Sequence, residues 1–378
     1  MSSHRHSIFC ILPPHMLQEL ARNGSAAQKE LALRNLTLGE QLREERASLG
    51  DVAAMDMAEA VAGKERIVYD AQNGSGLPGT QVRGEGDPAT GDPAADEAYD
   101  GAGATYDLYF DVYGRDSING AGLRMDSTVH YQTGYDNAFW NGRQMVYGDG
   151  DEDLPEADRL FNRFTIAIDV IGHELTHGVT QYEANLVYRN QPGALNESMS
   201  DVFGSLVKQH QLNQTARQAD WIIGEGLFTS NVNGVGIRSM KAPGTAYNDP
   251  ALGKDPQPAH MDDYVNTISD NGGVHINSGI PNHAFYLIAY ELDGFAWEKA
   301  GRIWYEALTN HLTSTSDFQA AADATYQVAG TLYGAGSPEQ LAVKNGWAGV
   351  GITVAEDGGT PPTEPPGCWP AIKSFFGF

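Results

Sequence analysis

Cysteine is nearly missing from this chain: Cys10 and Cys368, near opposite ends, are the only two in 378 residues. A disulfide framework is therefore not what holds the fold. Cations are also scarce. Against 49 Asp and Glu there are 24 Lys and Arg, a formal net charge of −25, which argues against nucleic acid and anionic membranes as partners. No apolar run approaches the ~20 residues of a membrane span. The N-terminus has no signal-peptide core either, because Pro13, Pro14 and His15 interrupt it at once. From that, a cytoplasmic or non-classically secreted enzyme is expected. From Gly84 to Gly114 there are eight acidic residues and no Lys or Arg. Such a block reads as solvated surface, with cation binding the alternative.

What is present supports a sizeable core, with 41% apolar residues. The length suggests two lobes with extensions. Leu and Met stripes across residues 13–50 predict one or two helices with a break at Gly24-Ser25. Residues 53–182 are rich in Gly, Asp and short alternating strands. They include a hairpin of Ala138-Phe-Trp140 and Gln144-Met-Val-Tyr147 around Asn141-Gly142. Helical patterns follow around 165–183, 194–211, 279–294, 296–311 and 316–333. The chain thus divides into 1–52, a β-rich lobe 53–182, a helical lobe 183–355 and a Pro/Gly linker with a short apolar tail, 356–378. The fold class is α+β.

The chemistry centres on His173-Glu174-Leu-Thr-His177. Two histidines four apart project from one helix face and can share a metal ion, while Glu174, turned about 100° away, reaches a water rather than the metal. The flanks Ile166, Ile168, Val170, Ile171, Leu175 and Val179 mark the helix as buried, and buried histidines need partners. A catalytic zinc needs a third protein ligand and an open position. Twenty residues after His177, Glu197 and Asp201 stand four apart on the next predicted helix. Glu197 completes a His2Glu set, and Asp201 can accept the other ring N–H of His173.

With these residues the chain resembles the thermolysin family of zinc metalloendopeptidases. The resemblance also rests on Asn137-Ala-Phe-Trp-Asn-Gly142, Gln144-Met-Val-Tyr-Gly-Asp-Gly150 and Asp270-Asn-Gly-Gly-Val-His275-Ile-Asn-Ser-Gly279. It implies a two-lobe protease with the active-site helix at the lobe junction and one catalytic zinc on His173, His177 and Glu197. Glu174 would be the general base, and Tyr188 and His275 would donate to the oxyanion, with Asp270 holding His275. Arg238 would grip a substrate carbonyl beyond the cleaved bond. Asn137, Ala138 and Trp140 would pair with the peptide as a strand. Phe161, Phe164, Val170 and Ile237 would line a pocket for bulky apolar residues after the scissile bond. Asp169, Asp220 and Glu225 match calcium ligands, but Lys208 and Ile222 replace two usual carboxylates. One structural calcium at most is expected there, with Lys208 standing in for a second.

Leu12-Pro13-Pro14-His15-Met16-Leu17 resembles the short propeptide of the protealysin branch. Residues 1–52 are accordingly read as an inhibitory propeptide, removed on maturation by the enzyme itself. Cys10 is either a small packed residue or a thiolate zinc ligand in the manner of a cysteine switch, and His15 is a weaker candidate for that role. The expected partners are protein or peptide substrates and the chain's own propeptide, on a monomer.

Overall fold

The computed structural model describes residues 9–49 and 63–355. The expected boundary at 52/53, the linker and the tail with Cys368 lie outside the described residues. The chain starts with a two-residue strand, β1 (Phe9–Cys10), and two helices, α1 (Pro14–Asn23) and α2 (Ala26–Leu49). Pro14 suits a first helical turn, where its missing N–H costs nothing. The break falls where the sequence placed it: Gly24 N–H returns to the Leu20 carbonyl at 2.9 Å. Met16, Leu17 and Leu20 form the buried face of α1.

The first lobe contains β2 (Arg66–Asp70), β3 (Thr80–Arg83), α3 (Pro93–Asp107), β4 (Met125–Val129), β5 (Ala138–Trp140) and β6 (Met145–Tyr147). The sheet order is β1-β5-β6-β4-β2-β3. β4 runs parallel to both β2 and β6, and the expected β5–β6 hairpin is antiparallel. β1 pairs antiparallel with β5, so the N-terminal segment is built into one edge of the sheet.

α3 was not anticipated. It lies inside the acidic block, where Asp92 caps it by accepting from Ala94 N–H at 2.9 Å and Pro93 opens it. Its small residues Ala94, Ala95, Ala98 and Ala102 are buried. The acids around it are paired rather than bare: Glu85 with Arg66, Asp96 with Arg83, Glu97 with Arg163 and Asp92 with His130. The block is thus largely a set of ion pairs tying α3 to its neighbours, rather than simply a solvated surface.

α4 (Ile168–Tyr182) follows at the lobe junction, and the helical second lobe opens with α5 (Asn190–Leu212). Two short ladders follow, β7 (Ile222–Ile223) with β8 (Arg238–Ser239) and β9 (Asn248–Asp249) with β10 (Gly253–Lys254). The rest is α6 (Asp270–Asn277), α7 (Gly279–Leu292), α8 (Ala300–Asn310), α9 (Phe318–Tyr333) and α10 (Pro338–Gly349). α10, missed in the sequence pattern, packs Trp347 on Trp304 with ring centres 6.0 Å apart. The feature that positions the site is the close crossing of α4 and α5. A Cβ on Gly172 would lie 3.1 Å from the Gly204 Cα, and one on Gly204 would lie 2.9 Å from the His173 amide nitrogen. Only glycine permits that approach. No helix among the described residues is long and apolar enough to cross a membrane.

Candidate metal centre

α4 and α5 bring His173, His177 and Glu197 together, all fully buried, with one ligand atom from each within 4.8 Å of the others. The two Nε2 atoms face one another at 3.0 Å, and Glu197 carboxylate oxygens lie 3.5 Å from each. Both outer nitrogens are engaged. His173 Nδ1 donates to Asp201 Oδ1 at 2.8 Å, and His177 Nδ1 meets Asn196 Oδ1 at 2.8 Å and Ser200 Oγ at 3.0 Å. With Nδ1 carrying the proton, both Nε2 lone pairs turn inward. Burial, reinforced by the neighbouring His173, drives the His177 pKa well below its ordinary value, keeping the ring neutral and ligand-competent. Glu197 Oε2 and Glu174 Oε1 are buried without a hydrogen-bond partner. Facing lone pairs, an orphaned carboxylate oxygen and a neutral imidazole fit a tetrahedral zinc with one position left open.

Around this centre the other expected residues assemble. Glu174 Oε2 accepts from the Trp140 amide at 3.0 Å. Burial, and then the Glu197 charge, raise the Glu174 carboxyl well above the usual range. The Tyr188 hydroxyl donates to Glu197 and lies 3.1 Å from His275 Nε2. Burial raises the Tyr188 pKa far enough to keep it a donor. Asp270 holds His275 twice, at the backbone N–H (2.9 Å) and at Nδ1 (2.6 Å). Burial opposes charge on this ring, but Asp270 and Glu197 outweigh it and lift the pKa to about 9. The turn that carries these contacts is strained: Asp270, Asn271, Gly272 and Gly273 all have positive φ (51°, 52°, 90° and 76°). Asp201 is held by Arg238 through Nε (2.8 Å) and Nη2 (2.7 Å) and by Asn282 Nδ2 (2.8 Å). Burial would raise the Asp201 carboxyl, but Arg238 and His173 hold it below the usual range.

The N-terminal segment occupies the cleft. Ile11 N–H donates to the Ala138 carbonyl at 3.3 Å and Leu12 N–H to Asn137 Oδ1 at 3.0 Å. Arg238 Nη1 donates to the Ile11 carbonyl at 3.1 Å, and His275 Nε2 to the Cys10 carbonyl at 3.0 Å. Phe9 pairs with Trp140. The Cys10 side chain belongs to a cluster with Tyr131, Tyr135, Phe139 and Val146 and is not in the metal-ligand group. Alternation along β1 sends the side chain to that cluster while the carbonyl faces the centre, so packing prevails over thiolate ligation. His15 is likewise outside the metal-ligand group, with Nε2 3.0 Å from the Tyr247 hydroxyl. Pro13 is the N-cap of α1 and Pro14 its first residue.

Phe161, Phe164, Val170 and Ile237 are buried within the main apolar core. Asp169, Asp220 and Glu225 converge on Lys208, whose Nζ lies 3.5, 2.7 and 2.9 Å from them. A calcium ion would have to displace this ammonium, so the donor set as arranged does not fit one. Sequence reasoning missed Asn196, Ser200 and Asn282. The first two could have been found, since Asn196 directly precedes Glu197 and Ser200 follows one turn later. Asn282 arrives from α7 and carries no local signal.

Comparison with known proteins accounts for this constellation. The family description "Thermolysin metallopeptidase, catalytic domain" matches residues 39–181, and "Thermolysin metallopeptidase, alpha-helical domain" matches residues 184–352. The chain belongs to the thermolysin family of metallopeptidases. It is 47% identical over 352 residues to an "Extracellular metalloprotease" of Pectobacterium carotovorum subsp. carotovorum, covering 93% of this chain and 98% of that one. It is 44% identical over 296 residues to a thermolysin of Alicyclobacillus acidocaldarius subsp. acidocaldarius, covering 76% of this chain and 50% of the relative. Among solved structures it matches the precursor of protealysin, a metalloproteinase from Serratia proteamaculans, with a TM-score of 0.82 and 49% identity, covering 91% of this chain and all of that one. The thermolysin-like α+β fold and the metalloendopeptidase class therefore stand, as does zinc as the catalytic metal. The expectation of a cytoplasmic enzyme does not. A thermolysin-family relative aligned over nearly its whole length is named extracellular.

Proposed function

We propose that this thermolysin-family protease is an autoinhibited endopeptidase precursor that cleaves on the N-terminal side of bulky apolar residues and removes its own propeptide. When bound by His173, His177 and Glu197, zinc supplies a Lewis acid for the substrate carbonyl and acidifies water. Glu174 takes the proton of the attacking water and passes it to the leaving amine, a task suited to a carboxyl whose pKa is pushed upward. Tyr188 and His275 donate to the carbonyl oxygen as charge develops there, with Asp270 fixing the imidazole. Arg238 holds the next carbonyl, and Asn137, Ala138 and Trp140 align the peptide by strand pairing, which reads backbone and suits broad specificity. Buried Phe161, Phe164, Val170 and Ile237 support an apolar pocket after the scissile bond. The observation that carries the reading is the convergence of His173, His177 and Glu197 beneath a strand that the N-terminal segment already pairs with. That pairing supports propeptide inhibition, and the chain is taken to act as a monomer. The Lys208 cluster supports charge compensation without calcium at that point.

The test is casein or furylacryloyl-peptide hydrolysis by wild type and Glu174→Ala after propeptide removal. Wild type should cleave before Leu or Phe while Glu174→Ala is inert. Equal inertness of both would sink the reading.

A further inference from the structure

The N-terminal segment fixes more than blockage, because each of its backbone groups meets a particular part of the site. The Cys10 carbonyl receives His275 Nε2 at 3.0 Å. The next amide, Ile11 N–H, donates to Ala138 O at 3.3 Å, on the strand whose Trp140 amide donates to Glu174 Oε2 at 3.0 Å. The next carbonyl, that of Ile11, receives Arg238 Nη1 at 3.1 Å, and the following amide, Leu12 N–H, reaches Asn137 Oδ1 at 3.0 Å. Carbonyl to oxyanion donor, amide to the strand edge, next carbonyl to the arginine, next amide to Asn137: this is the order of groups along a substrate. β1 also runs antiparallel to β5, as an aligned peptide would.

We propose that Cys10–Ile11 is a self-cleavage site, held in the scissile register by the chain's own active centre and cut before the propeptide leaves. This deepens the reading above and rests on the roles given there to Glu174, His275 and Arg238. Water adds to the Cys10 carbonyl carbon and the C–N bond to Ile11 breaks. One water proton goes through Glu174 to the Ile11 nitrogen and the second follows as the new carboxyl ionises, leaving a Cys10 carboxylate and an Ile11 ammonium. Ile11, fully buried and apolar, stands where the enzyme's preferred residue belongs. The cut does not open the cleft. The segment after Ile11 stays anchored by Met16, Leu17 and Leu20, by Gln28 Nε2 on the Asp158 carbonyl (2.8 Å) and by Arg34 Nη2 on the Gly134 carbonyl (3.1 Å). A nicked, still blocked form therefore precedes the mature one.

The test follows new N-termini of the zinc-loaded full-length chain by sequencing and intact mass. The first should be Ile11, formed at a rate independent of protein concentration, before casein hydrolysis rises and not at all in Glu174→Ala. A second readout needs no turnover. In full-length Glu174→Ala, the Ile11 and Leu12 amides should exchange at least ~100-fold slower than unstructured amides. Adding Asn137→Ala should release Leu12 by about tenfold, the worth of one hydrogen bond, and leave Ile11 slow. Unprotected Ile11 and Leu12, or a first cut elsewhere with residues 1–10 still attached, would overturn the register. A chain that hydrolyses casein without ever exposing Ile11 loses this inference alone. A chain that hydrolyses nothing after propeptide removal loses the enzymatic reading as well.

Discussion

Asp169 stands one turn before His173 on α4, and Lys208 stands about two turns beyond Asp201 on α5, so two charged clusters share one helix pair. At the zinc centre the outer atoms are satisfied while the inner ones are left open: Nδ1 of both histidines is bonded outward, and Glu197 Oε2 has no partner. At the Lys208 cluster an ammonium occupies the inner position, hydrogen-bonded to Asp220 (2.7 Å) and Glu225 (2.9 Å), with Asp169 Oδ2 an ion-pair neighbour at 3.5 Å. Burial works against the Lys208 charge, but Asp169, Asp220 and Glu225 outweigh it and raise its pKa. Charge neutralisation therefore has two solutions within one helix pair. One demands an external cation because the reaction needs a Lewis acid, and the other makes do with a side chain because it needs only charge.

The largest way to break this contrast is to spoil the open cluster. Glu197→Gln should abolish both zinc retention after dialysis and peptide hydrolysis, measured by metal analysis and a peptide assay. Retained zinc with lost activity would move Glu197 out of the ligand set. Next, Lys208→Ala leaves buried Asp169 unpaired and should cost roughly 3 kcal/mol in urea unfolding. Millimolar calcium should restore part of that loss in the variant, whereas chelating calcium from wild type should leave its unfolding curve in place. Third, Asn196→Ala removes the nearer of two partners of His177 Nδ1, leaving Ser200 Oγ at 3.0 Å, and should weaken zinc binding about tenfold by chelator competition, with the fold intact. Last, His130 shows the Lys208 arrangement with a cation that titrates, bonded to Asp149 at 2.8 Å and Asp92 at 2.7 Å. The Asp149 hydrogen bond leads, burial opposes, and Asp92 adds, lifting its pKa to about 9. Because the folded value exceeds the unfolded one, the contribution is complete below pH ~6.5 and disappears as pH rises through about 9. Wild type should lose thermal stability across that window more steeply than His130→Gln. Parallel curves would remove the histidine from the account.

Much of the centre was legible because helix periodicity places His173 with His177 and Glu197 with Asp201. Tyr188, His275 and Arg238 came only through family motifs, since nothing local in a Gly-rich turn reports that Asp270 grips His275. The crossing of α4 on α5 was hidden in two glycines, Gly172 and Gly204, which in sequence read as mild helix breakers. α3 was lost because its acids advertise solvent while its alanines are buried. The direction of Cys10 depended on β1 joining β5, a pairing across more than a hundred residues that no local pattern encodes.

The central claim is a zinc protease assembled and covered in the same chain. Casein hydrolysis by the full-length protein, with zinc quantified, should be compared before and after removal of the N-terminal segment. One zinc per chain at both points, with negligible activity before and strong activity after, is the expected result. Equal activity before and after removal, or zinc acquired only after it, would contradict the account.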